Sequence, residues 1–302
     1  MSSPLLHVLG TSSQVPTRHR NHNGYFLSWG TEGFLFDPGE GIQRQMIFSQ
    51  ISASRITHIM ITHFHGDHCL GLAGLIQRLS LDRVSHTVHV WFPASGQEYF
   101  DRLRNASIFY DTTRLEVHPI SEAGQIYADK NFTISAEELE HGVDTFGYRI
   151  SERDSRTMLP ERLAHFGIKG PDIGKLKRDG RLEFEGQIIE MDQVSILKPG
   201  RSMAFVMDTR PCAGASDLAR GVDLLVCEST FLKSETDIAH DFYHMTATQA
   251  AELASQANAG KLILTHFSQR YPDTDVFLEE ARPIHASVEA ARDGDHFEFP
   301  RR

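Results

Sequence analysis

The run His-Phe-His-Gly-Asp-His at residues 63–68 decides how this chain folds. It places four possible metal ligands within six residues. Apolar residues 56–62 before it predict a short buried strand, and the apolar spacing in residues 70–80 after it predicts a helix. The motif therefore lies on a loop between a strand and a helix, where a compact turn can point its side chains in different directions.

The chemistry of this motif favours a hydrolytic metal site. Neutral imidazole and carboxylate groups suit zinc, and a catalytic zinc site keeps one position open for water. Structural zinc sites are usually closed and rich in cysteine, whereas Cys69, Cys212 and Cys227 are far apart and form no paired motif. Because histidine is rare and the spacing is tight, a purely structural reason for the cluster is a weak alternative.

Strands and helices alternate along the rest of the chain. Apolar stretches bounded by turn-forming residues predict strands at 5–10, 24–30, 33–39, 87–92, 115–119, 132–139, 146–150, 202–207, 223–227 and 261–265. Helical spacing predicts helices at 41–48, 95–105, 246–258 and 276–290. The pattern is β-rich with helices packed outside, and most strands end at a polar residue that could act in catalysis.

Residues 151–201 differ from their surroundings and have the character of an insertion. They are polar and punctuated by Gly and Pro, and residues 169–181 contain five basic side chains against two acidic ones. A chain of 302 residues can form one large domain that carries such an insertion. We therefore expect a single domain over residues 1–302 with residues 151–201 inserted.

The overall charge and the chain's amino-terminal sequence narrow the function classes. A formal net charge of -10 disfavours a general nucleic-acid binder, so the local basic segment has to supply any phosphate contacts. The first residues lack a cationic region followed by a secretory apolar stretch, and no apolar run is long enough to cross a bilayer. These features predict a cytoplasmic protein that does not associate with a membrane.

The motif at 63–68 resembles the HxHxDH signature of the metallo-β-lactamase superfamily. That resemblance implies an α+β fold, the αββα sandwich, in which two facing sheets are covered by helices and loops at one edge hold the metals. It also implies two zinc ions per subunit. One would be held by His63, His65 and His141, the other by Asp67, His68 and His266, with Asp208 bridging them and Asp37 orienting a ligand from behind.

Further blocks, including PTRHRN at 16–21, HGVDTFGYRI at 141–150 and LTHFSQRY at 264–271, follow the order of the ribonuclease Z family. This resemblance implies a homodimeric, zinc-dependent endoribonuclease that cleaves the 3′ trailer from precursor tRNA by metal-hydroxide attack on the phosphodiester. Residues 151–201 would be its flexible tRNA-binding arm. The implied catalytic residues are Asp67, His244 and its orienting carboxylate Glu228. The implied RNA contacts are Arg18, Arg20, Asn21, Lys175, Lys177, Arg178 and Arg270.

Two alternatives remain open from the sequence. One is another phosphodiesterase or arylsulfatase-like hydrolase of the same superfamily, which would have no use for a basic projection. The other is a non-catalytic RNA-binding relative, which is disfavoured because every expected ligand is present. Without the resemblance, His141, Asp208 and His266 would each be as readily explained as structural polar residues.

Overall fold

A computed structural model describes residues 3–300. The strands are β1 (Leu5–Gly10), β2 (Gly24–Trp29), β3 (Glu32–Phe36), β4 (His58–Met60), β5 (Val88–Pro93), β6 (Leu115–Ile120), β7 (Gly124–Ala128), β8 (Phe132–Leu139), β9 (Thr145–Glu152), β10 (Ser155–Met158), β11 (Arg181–Phe184), β12 (Gln187–Glu190), β13 (Ser195–Lys198), β14 (Ser202–Val206), β15 (Leu224–Glu228), β16 (Lys261–Thr265), β17 (Val288–Ala290) and β18 (His296–Glu298).

The helices are α1 (Ile42–Phe48), α2 (Gly66–Cys69), α3 (Leu72–Leu81), α4 (Gln97–Arg104), α5 (Pro160–His165), α6 (Pro171–Asp179), α7 (Met191–Val194), α8 (Ala213–Ala219), α9 (Thr236–Asp241), α10 (Ala247–Gln256) and α11 (Asp275–Ala281). Short 3-10 turns lie at Ala53–Arg55, Ala94–Gly96 and Lys233–Glu235. Within residues 3–300, no helix combines the length and the apolar character needed to cross a membrane.

Two seven-stranded sheets form the larger unit of the chain. The first has the order β18-β1-β2-β3-β4-β5-β6 and the second β17-β16-β15-β14-β9-β8-β7. Strands β3 to β6 run parallel to one another, as do β14 to β17. Parallel strands need crossover connections, and the helices between them supply these crossovers and cover the outer faces.

Aromatic side chains join the two sheets at their inner faces. Phe36 of β3 stacks on Phe205 of β14 with ring centroids 4.7 Å apart, and Tyr25 of β2 meets the same ring edge-on at 5.1 Å. A second apolar layer lies between the first sheet and α1, α3 and α4, and a third between the second sheet and α8, α10 and α11. These layers confirm the predicted αββα sandwich.

One predicted helix is wrong in its second half. The helix expected over residues 276–290 ends at Ala281, and residues 288–290 form β17, which pairs in parallel with β16. Pro283 contributes to this ending, because proline lacks the backbone N–H that would continue the helical hydrogen bonds after Arg282. The apolar residues at 288 and 290 therefore belong to strand β17 and not to a helix.

The smaller unit comprises Asp129–Thr133 and Ser151–Arg201. It contains the antiparallel pairs β10–β13 and β11–β12 together with α5, α6 and α7. Its own core consists of six buried apolar side chains, Leu163, Ile168, Leu176, Leu182, Ile189 and Val194. The polar, glycine-rich sequence of this segment predicts none of these elements.

Candidate metal centre

The ligand candidates follow the ends of strands from both sheets. Asp37 follows β3, His63 follows β4, Asp208 follows β14 and His266 follows β16. The carboxyl ends of parallel strands meet at one edge of a sheet, so these side chains converge there. At Asp37, Asp208 and His266 the backbone turns with positive φ angles of 44°, 45° and 60°, a region that non-glycine residues seldom occupy and that is typical of functional loops.

His63, His65, His141 and Asp208 form the first group of converging ligand atoms. His65 Nδ1 lies 3.0 Å from His63 Nε2 and 3.2 Å from His141 Nε2. Asp208 Oδ2 lies 3.6 Å from His63 Nε2 and 3.7 Å from His141 Nε2. His63 and Asp208 are buried, while His65 is exposed, so this group opens to solvent on one side.

Asp67, His68, His266 and the same Asp208 form the second group. His68 Nε2 lies 3.3 Å from Asp67 Oδ2 and 3.2 Å from Asp208 Oδ2. His266 Nε2 lies 3.1 Å from Asp208 Oδ1 and 3.6 Å from Asp67 Oδ2. Asp208 therefore faces both groups, one carboxylate between two sets of imidazoles.

The residues of both groups fit divalent metal ions. Ligands on a tetrahedral zinc ion, at bond lengths of about 2.0–2.1 Å, lie roughly 3.3–3.4 Å from one another, close to the separations within both groups. Asp208 Oδ1 and His266 Nε2 are buried and make no hydrogen bond, although they lie 3.1 Å apart. Buried polar atoms normally have partners, so this pair is built for a ligand other than protein. The clusters are metal-binding and consistent with zinc.

The electrostatics of the second group favour a cation. Burial lowers the pKa of His68, but Asp208, Asp67 and Asp37 together raise it well above its ordinary value. Burial raises the pKa of Asp208, yet His266 and His68 outweigh this and hold it well below the usual carboxyl range. Three carboxylates thus surround one imidazole, an arrangement that attracts positive charge.

Asp37 and Thr62 orient the ligands on the β3–β4 side. Asp37 Oδ2 accepts from His68 Nδ1 at 2.9 Å and from the Thr62 hydroxyl at 2.9 Å. Since that hydroxyl donates to Asp37, it accepts from His63 Nδ1, 3.0 Å away. Both histidines are thereby held in the tautomer that leaves Nε2 free for a metal. The sequence indicated Asp37 but not Thr62.

Glu228 and Thr230 repeat this arrangement on the β15–β16 side. The Thr230 hydroxyl donates to Glu228 Oε2 at 2.7 Å and lies 2.9 Å from His266 Nδ1, whose proton it accepts. Glu228 Oε1 binds His244 Nδ1 directly at 2.9 Å. The ring of His244 lies 5.4 Å from that of His266, so the pair borders the ligand cluster.

Glu228 keeps His244 charged. Burial opposes protonation of His244, but the charge of Glu228 and its hydrogen bond outweigh it and raise the pKa of His244 to about 9. Burial likewise opposes ionisation of Glu228, and His244 lowers the pKa of Glu228 below its ordinary value in spite of it. At neutral pH this pair is an ion pair that can give up a proton from the imidazole.

The open side of the cluster is a cavity of about 740 Å³. Its lining includes His65, Asp67, His141, Asp208, His244 and Arg270. Asp67 Oδ2 also accepts a hydrogen bond from the backbone N–H of Gln14 at 2.8 Å, which ties the loop after β1 to the ligands. Members of both ligand groups and His244 therefore border one cavity.

The residues expected to contact RNA lie in different parts of the structure. Arg18 is exposed, and Arg270 lines the cavity while it pairs with Glu235 and lies over the Phe231 ring. Lys175, Lys177 and Arg178 are exposed on α6 of the smaller unit.

Arg20 and Asn21 instead hold the chain in place. The Arg20 guanidinium donates to the carbonyls of Tyr271 and Ser268 at 2.8 and 3.0 Å, and only 9% of the residue is exposed. The Asn21 amide donates to the carbonyls of His22 and Glu40. The side chain of Arg20 thus ties the loop after β1 to residues 268–271, whereas that of Asn21 ties it to Glu40, so both residues shape the loop that carries Arg18.

Comparisons with known proteins agree in family. A model of the metallo-beta-lactamase superfamily matches residues 17–173. The chain is 56% identical over 282 residues to ribonuclease Z of Nocardia farcinica, covering 93% of this chain and 92% of that relative. It is 50% identical over 304 residues to ribonuclease Z of Streptomyces coelicolor, covering 100% of each. The crystal structure of human tRNase Z, short form, matches with a TM-score of 0.72 and 25% identity, over 98% of this chain and 99% of that one.

Proposed function

The chain belongs to the ribonuclease Z family of the metallo-β-lactamase superfamily, which consists of tRNA 3′ endonucleases, and from this premise we propose that it cleaves the 3′ trailer from precursor tRNA by metal-assisted hydrolysis. The observation that carries this proposal is Asp208, whose carboxylate faces two separate groups of ligands beside the Glu228–His244 pair. A cytoplasmic location follows from the substrate and is tested by cell fractionation.

We propose two zinc ions per chain, held in the two groups that share Asp208. A pair of divalent ions supplies a water-derived nucleophile at neutral pH and neutralises charge on phosphoryl oxygens. Asp37 and Glu228 fix the tautomers of the imidazole ligands from behind. Metal analysis of the purified protein, with Asp208→Ala beside the wild type, tests the number.

His244 is proposed to protonate the leaving 3′ oxygen. It lies at the cavity, carries a proton at neutral pH, and is oriented by Glu228 at 2.9 Å, which are the requirements of a general acid. Asp67 is proposed to have a role different from that of His244. Burial favours its neutral form, but His68 and His266 hold the pKa of Asp67 well below its usual range. Because its Oδ2 faces the second ligand group and lines the cavity, we propose that Asp67 holds metal and orients the attacking water.

The smaller unit is proposed as the arm that binds tRNA. Exposed lysines and arginines on α6 contact phosphates without reading base sequence, which suits recognition of tRNA by its shape. Lys177 has exposed charge, and the nearby pairs of Lys175 with Asp172 and Arg178 with Asp179 are exposed and weak. Arg18 and Arg270 are proposed to contact RNA near the point of cleavage.

A homodimer is proposed from the family and is supported by exposed apolar side chains. Ile47 and Phe48 of α1 are 65% and 62% exposed, and Leu81 at the end of α3 is 77% exposed. Clusters of exposed apolar groups often mark contact surfaces. Sedimentation analysis should show about twice the chain mass of 34.0 kDa, and Phe48→Glu should shift it to the monomer.

A single assay tests the activity. Purified protein is incubated with a 3′-extended precursor tRNA and with a small chromogenic phosphodiester, each with and without a chelator. We expect cleavage at the junction between the tRNA and its 3′ trailer. The chelator should abolish this cleavage, and added zinc should restore it. Hydrolysis of the small diester alone would favour the rival, a small-molecule phosphodiesterase. Binding without cleavage would favour a non-catalytic relative.

A further inference from the structure

A second set of potential ligands lies on β5 and β6, away from the strand ends that form the metal centre. His89 pairs in register with Glu116, and Trp91 pairs with His118, so all four side chains project from the same face of the two strands. His89 is also in register with His58, which is five residues before His63. Because β4 begins at His58 and His63 follows its end, this set lies toward the opposite end of the strands from the metal centre.

The three ligand atoms converge as they do in the metal centre. His89 Nδ1 lies 3.0 Å from His118 Nε2. The two carboxylate oxygens of Glu116 lie 3.6 Å from His89 Nδ1 and 3.7 Å from His118 Nε2, longer than hydrogen bonds. These separations span the same range as those within the first group around Asp208, which run from 3.0 to 3.7 Å. These three distances, two of which end at different oxygens of Glu116, lie on either side of the edge of a tetrahedral ligand shell, roughly 3.3–3.4 Å.

Stacked rings hold both imidazoles in place. The His118 ring lies parallel to Trp91 with centroids 4.0 Å apart and planes at 13°. The His89 ring is sandwiched between those of His58 at 5.1 Å and His118 at 5.3 Å. Ligands that are already oriented lose little entropy when they bind an ion. Preorganisation by packing is what a built site requires and what a chance surface cluster lacks.

We propose that His89, Glu116 and His118 bind a further divalent ion of the zinc class. Two imidazoles and one carboxylate are a zinc donor set, and the partial exposure of the three side chains, 22%, 58% and 25%, leaves a fourth position for water. The bound ion joins β5 to β6, the edge strand of the first sheet, across the 21 residues between them.

Zinc counting tests the site. Equilibrium dialysis against zinc should give the His89→Gln/His118→Gln variant one ion fewer per chain than the wild type. His285→Gln, which removes a half-buried histidine elsewhere, should match the wild type. Cleavage of precursor tRNA at saturating zinc should be unchanged in all three proteins. An equal zinc count in the double variant and the wild type would overturn the proposal.

Trp91 provides a second readout that does not depend on the double variant folding. The chain has two tryptophans, so Trp29→Phe leaves Trp91 as the only one. Cobalt bound at His118 should quench its fluorescence, since the two rings are 4.0 Å apart. Glu116→Gln alters an exposed side chain and should leave the ring stacking unchanged. It should raise the cobalt concentration that gives half-maximal quenching at least tenfold. Identical titrations with and without Glu116→Gln would exclude the site.

Discussion

Asp37→Asn should weaken both metal groups although Asp37 belongs to neither. The carboxylate is fully buried, and Oδ1 accepts from the Thr62 backbone N–H at 2.8 Å while Oδ2 accepts from His68 and the Thr62 hydroxyl. Asparagine tolerates the left-handed backbone at this position, so the loop itself is preserved. The change therefore acts on hydrogen-bond direction and charge, with little effect on shape.

The magnitude follows from which atoms the amide can replace. With its oxygen toward the Thr62 N–H, its NH₂ group meets the protons of His68 Nδ1 and of the Thr62 hydroxyl. His68 then moves its proton to Nε2, which blocks coordination. The Thr62 hydroxyl loses the acceptor for its proton, so it can no longer donate to residue 37 while it accepts from His63. With the amide reversed, a buried N–H loses its acceptor, which costs about 1–3 kcal/mol. Loss of such a supporting carboxylate typically lowers metal affinity about 10- to 100-fold, or roughly 1.4–2.7 kcal/mol.

Competition with a chromophoric chelator measures this affinity, and single-turnover cleavage of precursor tRNA at limiting and at saturating zinc measures its consequence. We expect the activity of Asp37→Asn to recover largely as zinc is raised. Asp82→Asn, which removes a carboxylate from an exposed pair with Arg78, is the matched control and should behave as the wild type. Unchanged zinc affinity in Asp37→Asn would refute the tautomer reasoning.

Three further predictions concern the bridge, the acid and the arm. Asp208→Ala should lose metal and hydrolysis together, and full activity with two tightly bound ions would contradict its bridging role. His244→Ala should bind metal and precursor tRNA almost normally but cleave about 10²- to 10⁴-fold more slowly. Because the raised pKa of His244 keeps it protonated up to about 9, the wild-type rate should fall as the pH rises through that value, and bound divalent ions should move this fall to lower pH. Charge reversal at Lys175, Lys177 and Arg178 should weaken tRNA binding and reduce its salt dependence, with small-diester hydrolysis intact. Unaltered tRNA affinity would exclude these contacts.

The fold was predictable where the pattern is local. Residues 132–139 and 261–265 read as strands and form strands with those bounds, because apolar residues there face a buried layer. Strand β18 pairs with β1 from the other end of the chain, and nothing within His296–Glu298 signals a partner so distant. The bounds of the insertion at residues 151–201 were predicted, but its strands, helices and core were not, because its apolar residues pack on one another within a segment whose polar composition predicts only a loop.

The metal motif was predictable because four of its ligand candidates lie within six residues, and the family resemblance also indicated Asp37 and Glu228, whereas the two supporting threonines were not predictable. Thr62 and Thr230 become meaningful only once each hydroxyl is seen between a carboxylate and an imidazole. The contacts that Arg20 makes within the chain were likewise not predictable. A basic residue in a loop reads as a phosphate contact, and the sequence cannot tell an exposed guanidinium from one that satisfies two backbone carbonyls.

Asp37 and Glu228 give the site two matching halves, one from each sheet. Each carboxylate binds one histidine directly and a second through a threonine, so each controls two imidazoles. On the Glu228 side the two have different uses, since His266 is a metal-ligand candidate and His244 the candidate acid. Glu228 also accepts from the backbone N–H groups of Thr209 and Met245 at 2.6 and 3.0 Å. In Glu228→Gln the NH₂ group of the amide would face hydrogen-bond donors, because every partner of this carboxylate donates to it. The change should therefore disturb metal retention and proton transfer together. His244→Ala alone separates the two, because only His244 can be removed without freeing a metal ligand from its support.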